Sequence, residues 1–409
     1  MTDSVSIDGF GPLPVRAPES VAELGDIVRA QVAAGQAIYP VGGGTKLHLG
    51  LVPSKPGVAV STLRLNRVLD YPARDMTVTA QAGVRIADLQ ATLAAEGQWL
   101  PVDVPHPDRA TLGGAVAANS SGPRRFAQGT LRDYVIGVGF VSDEGVEVKG
   151  GGRVVKNVAG YDLMKLHCGA LGTLGVLTHL TLKVKPRPEA SALVAFGVGA
   201  AAVGPTLDRL HASKSRPVAV ELLNREAAVL SGLPLPDADP WVILCGFEEK
   251  AVTVDWQVKE LTAELASTPV RGVTELRAPA AWAALTQLQT AGDDGVSLKV
   301  NVQPSAVAGF VSAAVAAHPD AAVHAHAGNG IVFVHLPVEA TPDRAANVIA
   351  ALSKLTATGN ANLIVTRCPP AWKGSLPVWG RDAGDLSVMR IVKRTLDPTD
   401  CFNPGRLGE

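Results

Sequence analysis

The chain has 409 residues, 47% of them hydrophobic, with 37 basic and 38 acidic side chains and a formal net charge of −1. That length calls for two or three structural units rather than one core, and the charge balance offers nucleic acid and anionic membrane surfaces little to attract them. Cys168, Cys245, Cys368 and Cys401 stand too far apart for a zinc or iron–sulfur framework; they imply reduced thiols and a cytoplasmic setting, and neither a signal-peptide pattern nor a membrane-spanning apolar run is expected.

In chain order, Val21, Leu24, Ile27, Val28 and Val32 recur at helical spacing and predict a helix over 21–34, stopped by Gly35. A short buried strand at 37–41, a glycine loop and a second strand at 57–61 give the pattern of a small βαβ unit with glycines at a strand exit. A strand at 77–82, a helix at 86–96 closed by Gly97 and an extended stretch at 99–102 follow. They lead to a Gly/Ala/Ser/Asn segment, 111–122, whose side chains are too small to fill a core alone. Strands are predicted at 135–141 and 175–184, and Asp143-Glu144-Gly145 is a turn into another strand. Lys185-Pro186-Arg187-Pro188 reads as a boundary, because two closely spaced prolines stiffen a connection and refuse a central strand. Beyond it, helices at 251–266, 306–317 and 342–354 alternate with strands near 194–198, 218–223, 241–247, 297–303, 331–336 and 362–366. From residue 395 the periodicity is lost, and the chain reads as a tail packed on another element.

Four glycine-containing clusters carry the chemistry. Pro40-Val41-Gly42-Gly43-Gly44-Thr45-Lys46, followed by Leu47, leaves a strand. Its glycines permit φ > 0 and close approach of backbone to a ligand, and its successive N–H groups can form an anion nest. It lacks the Gly-Lys-Ser/Thr ending of a P-loop, and Leu47 stands where a Rossmann fingerprint has its third glycine. Alone it reads equally well as a tight turn. Thr111-Leu112-Gly113-Gly114-Ala115-Val116-Ala117-Ala118-Asn119-Ser120-Ser121-Gly122 suits close approach to a flat ring and a phosphate. Gly169-Ala170-Leu171-Gly172-Thr173-Leu174-Gly175-Val176 spaces glycines every three residues before a strand. The fourth cluster, 153–165, contains Lys156-Asn157-Val158-Ala159-Gly160-Tyr161-Asp162-Leu163. Four such clusters in the first half of the chain are hard to explain as turns alone.

In this order the clusters resemble the FAD-binding domain of the vanillyl-alcohol oxidase and PCMH superfamily, in its branch of FAD-linked 2-hydroxyacid oxidases. The resemblance implies an α+β fold in three parts. A two-subdomain PCMH-type FAD-binding domain takes 1–187. An α+β cap domain, an antiparallel sheet flanked by helices, takes 188–394, and a tail, 395–409, returns to the FAD domain. It implies a pyrophosphate loop at Pro40, Val41, Gly42, Gly43, Gly44, Thr45, Lys46 and Leu47. A flavin-ring and pyrophosphate segment is implied at Thr111, Leu112, Gly113, Gly114, Ala117, Asn119, Ser120 and Gly122. Asp133, Tyr134 and Val135 belong to the following strand entry, Gly172, Gly175 and Val176 to the ribityl and adenosine side, and Asn403 to the returning run Asp397-Pro398-Thr399-Asp400-Cys401-Phe402-Asn403-Pro404-Gly405-Arg406. Members with a histidyl–flavin bond carry that histidine after the loop glycines. Thr45 stands there and cannot form the link, so the resemblance implies non-covalent FAD, with His48 a loop-packing or phosphate-side residue.

Ser121-Gly122-Pro123-Arg124-Arg125, residues 156–165 and Arg367-Cys368-Pro369-Pro370-Ala371-Trp372-Lys373 are similar, more narrowly, to the second flavin subunit of glycolate oxidases, the E type. That implies two partners, a D-lactate-dehydrogenase-like catalytic flavin subunit and an iron–sulfur subunit. It also implies a small 2-hydroxyacid substrate reached through the complex, and a cytoplasmic place, peripheral at the inner membrane through that complex. Catalytic members of the branch hold a divalent metal through His-x-Gly-Asp-Gly-Asn-x-His and a later Glu-His pair. Here the first motif reads His326-Ala327-Gly328-Asn329-Gly330-Ile331-Val332-Phe333, and Thr366-Arg367-Cys368 stands in place of the pair. A phenyl ring cannot ligate a metal and a guanidinium repels one, so no metal is expected. His324 and His326 share one strand face, with His335 nearby, which leaves a rebuilt site open beside the plainer reading of fold-shaping histidines. Lys299 and Arg367 read as carboxylate contacts or as solvated strand-end charges; with His326 they are the catalytic candidates. Three functions follow: an FAD-bearing relay subunit, a self-sufficient 2-hydroxyacid dehydrogenase with a rebuilt site, and an architectural subunit with weak or no flavin.

Overall fold

The computed structural model describes residues 3–153, 160–236, 240–291, 295–337, 340–356, 361–381 and 384–408. Lys156, Asn157, Val158 and Ala159 of the fourth glycine cluster therefore lie outside the described residues. The chain forms two compact units, one of residues 1–121, 130–187 and 382–409, the other of 122–129 and 188–381. Among the described residues no helix is long and apolar enough to cross a membrane.

In the first unit the helix Val21–Ala33 forms where the spacing places it. Ser20 caps it by accepting from the Glu23 N–H at 3.1 Å, and Leu24 and Val28 are fully buried. Its sheet runs Ser4–Ile7, Phe10–Arg16, Gly57–Ser61, Ala37–Val41, with the last three strands parallel. The two predicted strands pair in parallel but have no helix between them; the βαβ unit is instead Phe10–Arg16, helix Val21–Ala33 and Ala37–Val41, and its first strand is not among the predicted elements. The C-terminal stretch continues this sheet beside Ala37–Val41. Ile38 donates to the Cys401 carbonyl at 2.7 Å and Asn403 donates back to Ile38 at 2.9 Å, while Phe402 is fully buried.

A second, antiparallel sheet runs Val68–Asp70, Thr77–Gln81, Val176–Lys183, Val135–Val141, Glu147–Gly151. Leu89 and Leu93 of the helix Ile86–Ala94 pack on it, and so do Leu112 and Val116. The small-residue segment thus does more than expected: it contains a helix, Leu112–Ala117, started by Thr111, whose hydroxyl accepts from Gly114. Its backbone lies so close to the sheet that a Cβ on Gly113 would sit 2.7 Å from Cβ of Ala82. Small side chains are what let it pack.

The second unit is one eight-stranded sheet, antiparallel throughout. Its order is Val270–Leu276, Ala190–Val198, Trp241–Glu249, Ala219–Asn224, Ala322–His326, Ile331–Leu336, Val296–Asn301, Asn362–Arg367. Helices Val203–His211, Ala251–Leu265, Val307–Ala317 and Pro342–Thr356 share one aliphatic core with it. Residues from Arg225–Ser231 and Pro279–Leu288 share another, with Leu193, Ala195, Val242 and Leu244, the alternate positions of the same strands. Residues 122–129 are part of this unit. Arg124 makes a forked contact with Glu248 at 2.8–3.0 Å, its guanidinium lies 3.9 Å above the Trp282 ring, and Phe126 fills the space beside Gly328.

Candidate functional site

The glycine loop is shaped by backbone packed against backbone. A Cβ on Gly42 would lie 2.1 Å from the Thr111 hydroxyl, and one on Gly43 would lie 1.7 Å from the Arg109 carbonyl. Gly44 has φ of 72°, a left-handed conformation that completes the turn. Among the described residues, no backbone carbonyl accepts from the N–H groups of Gly42, Gly43, Gly44 or Thr45. Four consecutive donors without backbone partners at a strand exit form a nest for an anion.

Three adjoining cavities meet at Gly42. The first is lined by Pro40, Gly42 to Leu47, Thr111, Gly114, Ala117, Leu171 and Asn403. The second adds Val41, Gly113, Gly172, Gly175 and Val176. The third, about 270 Å³, lies along the other side of the loop toward Ala59, Ser61, Arg85 and Arg109. Asn119, at a φ of 46°, keeps its buried Oδ1 without a partner among the described residues, and Ser120 is buried beside it. The expected loop, small-residue segment and Gly172–Val176 element thus converge.

Other expected residues lie apart from these cavities. Leu112 is in the core behind them. Asp133 closes a capping box with Thr130, and Tyr134 and Val135 are buried in the second sheet's core; burial, with Asp133 adding a smaller effect, pushes the Tyr134 phenol up to about 12. Gly122 belongs to the second unit. Sequence reasoning missed Leu171, Arg109 and Arg406. Leu171, at a φ of 52°, receives a 2.6 Å hydrogen bond from the Asn403 amide, and Arg406 donates to the carbonyls of Leu47, Leu49 and Leu51. Burial lowers the Arg406 pKa, against the raising effect of Asp8. Only the terminal Asn-Pro-Gly-Arg run hinted at this bracing.

The catalytic candidates lie on the second unit's sheet. His326 is buried, and its Nδ1 pairs with the equally buried Glu221 carboxylate at 2.7 Å. His324 stacks on Phe333, at 4.7 Å, and on His335, at 5.3 Å, and these two rings lie parallel 6.4 Å from each other. Burial first, then the neighbouring histidines, holds His324 well below the usual imidazole range, so it is neutral. Among the described residues no three His, Cys, Asp or Glu side chains could hold a metal ion. Lys299 pairs across the sheet with Phe333 and Ile364. Burial, and secondarily the charge of Arg125, lowers its pKa to about 8. Arg367 pairs with Ser297 on the same neighbouring strand.

Comparison with known families places these two halves. The family described as FAD binding domain matches residues 12–151, and that described as FAD linked oxidases, C-terminal domain, matches 185–358 and 379–407. The chain belongs to the FAD-linked oxidases, an oxidoreductase family, and its cofactor is FAD. It is similar to glycolate oxidase subunit GlcD of Bacillus subtilis, at 30% identity over 62% of this chain and 55% of that one. It is 43% identical to glycolate oxidase subunit GlcE of Escherichia coli over 30% of this chain and 36% of that one. It is 27% identical to D-2-hydroxyglutarate dehydrogenase of Xanthomonas citri over 97% of this chain and 89% of that one. The matched stretches thus span less than two thirds of both glycolate oxidase subunits. A solved structure of alkyldihydroxyacetonephosphate synthase shares the fold, with a TM-score of 0.70 at 20% identity over 95% of this chain and 75% of that one.

Two outcomes are expected. Gly43→Ala should displace the loop from Arg109 and lower the flavin-to-protein absorbance ratio at least tenfold with the far-UV circular dichroism unchanged; a variant that purifies as yellow as the wild type would contradict this. Lys299 has a folded pKa below its ordinary 10.5, so the unfolded chain binds the extra proton between about pH 8 and 10.5. The wild type should therefore gain stability relative to Lys299→Met as pH rises through that window, read by urea unfolding; parallel curves would contradict the lowered pKa.

Proposed function

We propose that this chain is the FAD-bearing accessory subunit of a 2-hydroxyacid-oxidising complex of the glycolate oxidase type. In this reading it passes electrons between a catalytic flavin subunit and an iron–sulfur subunit as glycolate becomes glyoxylate. FAD supplies the two-electron acceptor. The N–H groups of Gly42 to Thr45 hold its pyrophosphate, Thr111 to Ser120 face the pyrophosphate and flavin ring, and Gly172 to Val176 with Asn403 close the remaining side. Thr45 leaves the cofactor without a covalent link through this loop. Arg406 positions the loop through its carbonyls and also lines the cavity beside it.

The observation that carries the reading is the contrast between the two halves. The loop keeps its donors free for a ligand, whereas in the cap the imidazole Nδ1 of His326 is committed to Glu221 and Phe333 fills the place of a metal-binding histidine. Oxidising a 2-hydroxyacid requires a group that takes the hydroxyl proton near the flavin ring. The His326–Glu221 pair is closed off on the sheet, with the unpartnered Nε2 of His326 buried as well, and in this reading it does not reach a substrate. The partial likeness to GlcE supports the assignment to a complex of unlike subunits.

The chain purified alone should be yellow and should release its FAD into the supernatant on acid precipitation. Under anaerobic conditions glycolate or D-lactate should leave its flavin band unbleached until the partner subunits are added. Bleaching of the isolated chain would show a self-sufficient dehydrogenase. A colourless chain would show an architectural one.

A further inference from the structure

The helix Asp385–Leu396 is amphipathic, yet none of its residues is buried. Val388, Ile391, Val392 and Thr395 fall at i, i+3, i+4 and i+7 and form one stripe along it. Val388 and Ile391 are 59% and 64% exposed, and Met389 at the edge of the stripe is 47% exposed. Other helices of the same unit spend such residues on the core, as Leu24, Val28, Leu89 and Leu93 do. A contiguous apolar stripe left in water marks a contact surface.

Along another flank of the helix lies a cavity of about 570 Å³, lined by Met389, Arg390, Lys393, Arg394, Asp397 and Asp400 among others. Its charges do not balance. Lys393 occupies both Asp397 and Asp400. Arg390 and Arg394 have no acidic partner among the described residues, and the Nε of Arg390 is shut off from water without an acceptor. A guanidinium without a counter-charge is stabilised by a carboxylate arriving at its outer N–H groups.

We propose that this helix and the cavity beside it dock a second, different polypeptide that presents an apolar strip bordered by carboxylates. The strip covers Val388, Ile391 and Val392, and the carboxylates enter the cavity onto Arg390 and Arg394. The proposal rests on the reading that the chain works among unlike subunits. Charge complementarity selects this occupant. A second copy of the chain, paired antiparallel about a twofold axis, would set the mid-helix Arg390 of each copy beside that of the other. An anionic lipid surface would satisfy the arginines, but it has no fixed shape with which to fill the cavity.

The test isolates the native assembly through an affinity tag on this chain and measures its mass by light scattering. The wild type should run at the mass of the assembly. Val388→Asp with Ile391→Asp, and separately Arg390→Glu with Arg394→Glu, should run as the single 42.2 kDa chain with flavin absorbance unchanged. A photocrosslinker at position 391 then locates the facing segment, and replacing its carboxylates by lysine should restore assembly with Arg390→Glu/Arg394→Glu but not with Val388→Asp/Ile391→Asp. Persistence of the assembly in both variants overturns the proposal, and so does a wild type that runs as a single chain. A self-dimer broken by Ile391→Asp assigns the face to a second copy. Sedimentation with phosphatidylglycerol–phosphatidylcholine vesicles that Arg390→Glu/Arg394→Glu abolishes assigns it to a membrane. Either result also overturns the proposal. Failure of the electron-passing reading shows separately, as bleaching of the isolated chain by glycolate.

Discussion

The flavin half of the molecule depends on the closeness of two stretches of backbone, the Gly42-Gly43 turn and the Arg109–Thr111 segment. At 1.7 Å from a carbonyl there is no room for any Cβ on Gly43, so this contact fixes where the loop lies and which way its amides point. Everything around it serves the same end. Thr111 spends its hydroxyl on Gly114 and starts the helix that brings Gly113 onto Ala82. Arg406 gathers the carbonyls of the loop's far side, and Asn403 ties Leu171 to the returning chain. The carbonyls are thereby bonded within the protein, and the N–H groups are left for a ligand.

The second unit has the opposite economy. Several of its polar groups are turned on each other: Glu221 holds His326, Ser297 bonds His335, and Arg124 grips Glu248 beneath the Trp282 ring, while both nitrogens of His324 and the Nε2 atom of His326 are buried without a hydrogen-bond partner among the described residues. A buried carboxylate–imidazole pair or a buried forked ion pair resists removal of either partner, because the one left behind would be an uncompensated charge. Such groups hold a sheet together well and are poorly placed to exchange protons with a substrate.

Much of this was legible in the sequence, and the reason is specific. Gly42, Gly43 and Gly172 announce themselves because the conformation and clearance they supply are written in the residue type. Val21–Ala33 was legible from its apolar spacing and the Gly35 stop. The helix Leu112–Ala117 was not, because two glycines in six residues carry little helical propensity and only packing on Ala82 decides the matter. Arg406, Leu171 and Arg109 act through partners far away in sequence, which periodicity cannot see. The edge strand Val270–Leu276 and the membership of residues 122–129 in the second unit leave no local signal, since pairing with Ala190–Val198 and the grip on Glu248 are long-range choices.

The claim at the centre is that the free amides of Gly42 to Thr45 receive the flavin's pyrophosphate. Hydrogen–deuterium exchange of the apoprotein with and without FAD measures this residue by residue. These four amides have no backbone acceptor among the described residues, so they should exchange rapidly in the apoprotein and become protected on binding, together with the Gly113-Gly114 stretch. FAD binding that protects other segments and leaves the amides of 42–45 exchanging as before would contradict it.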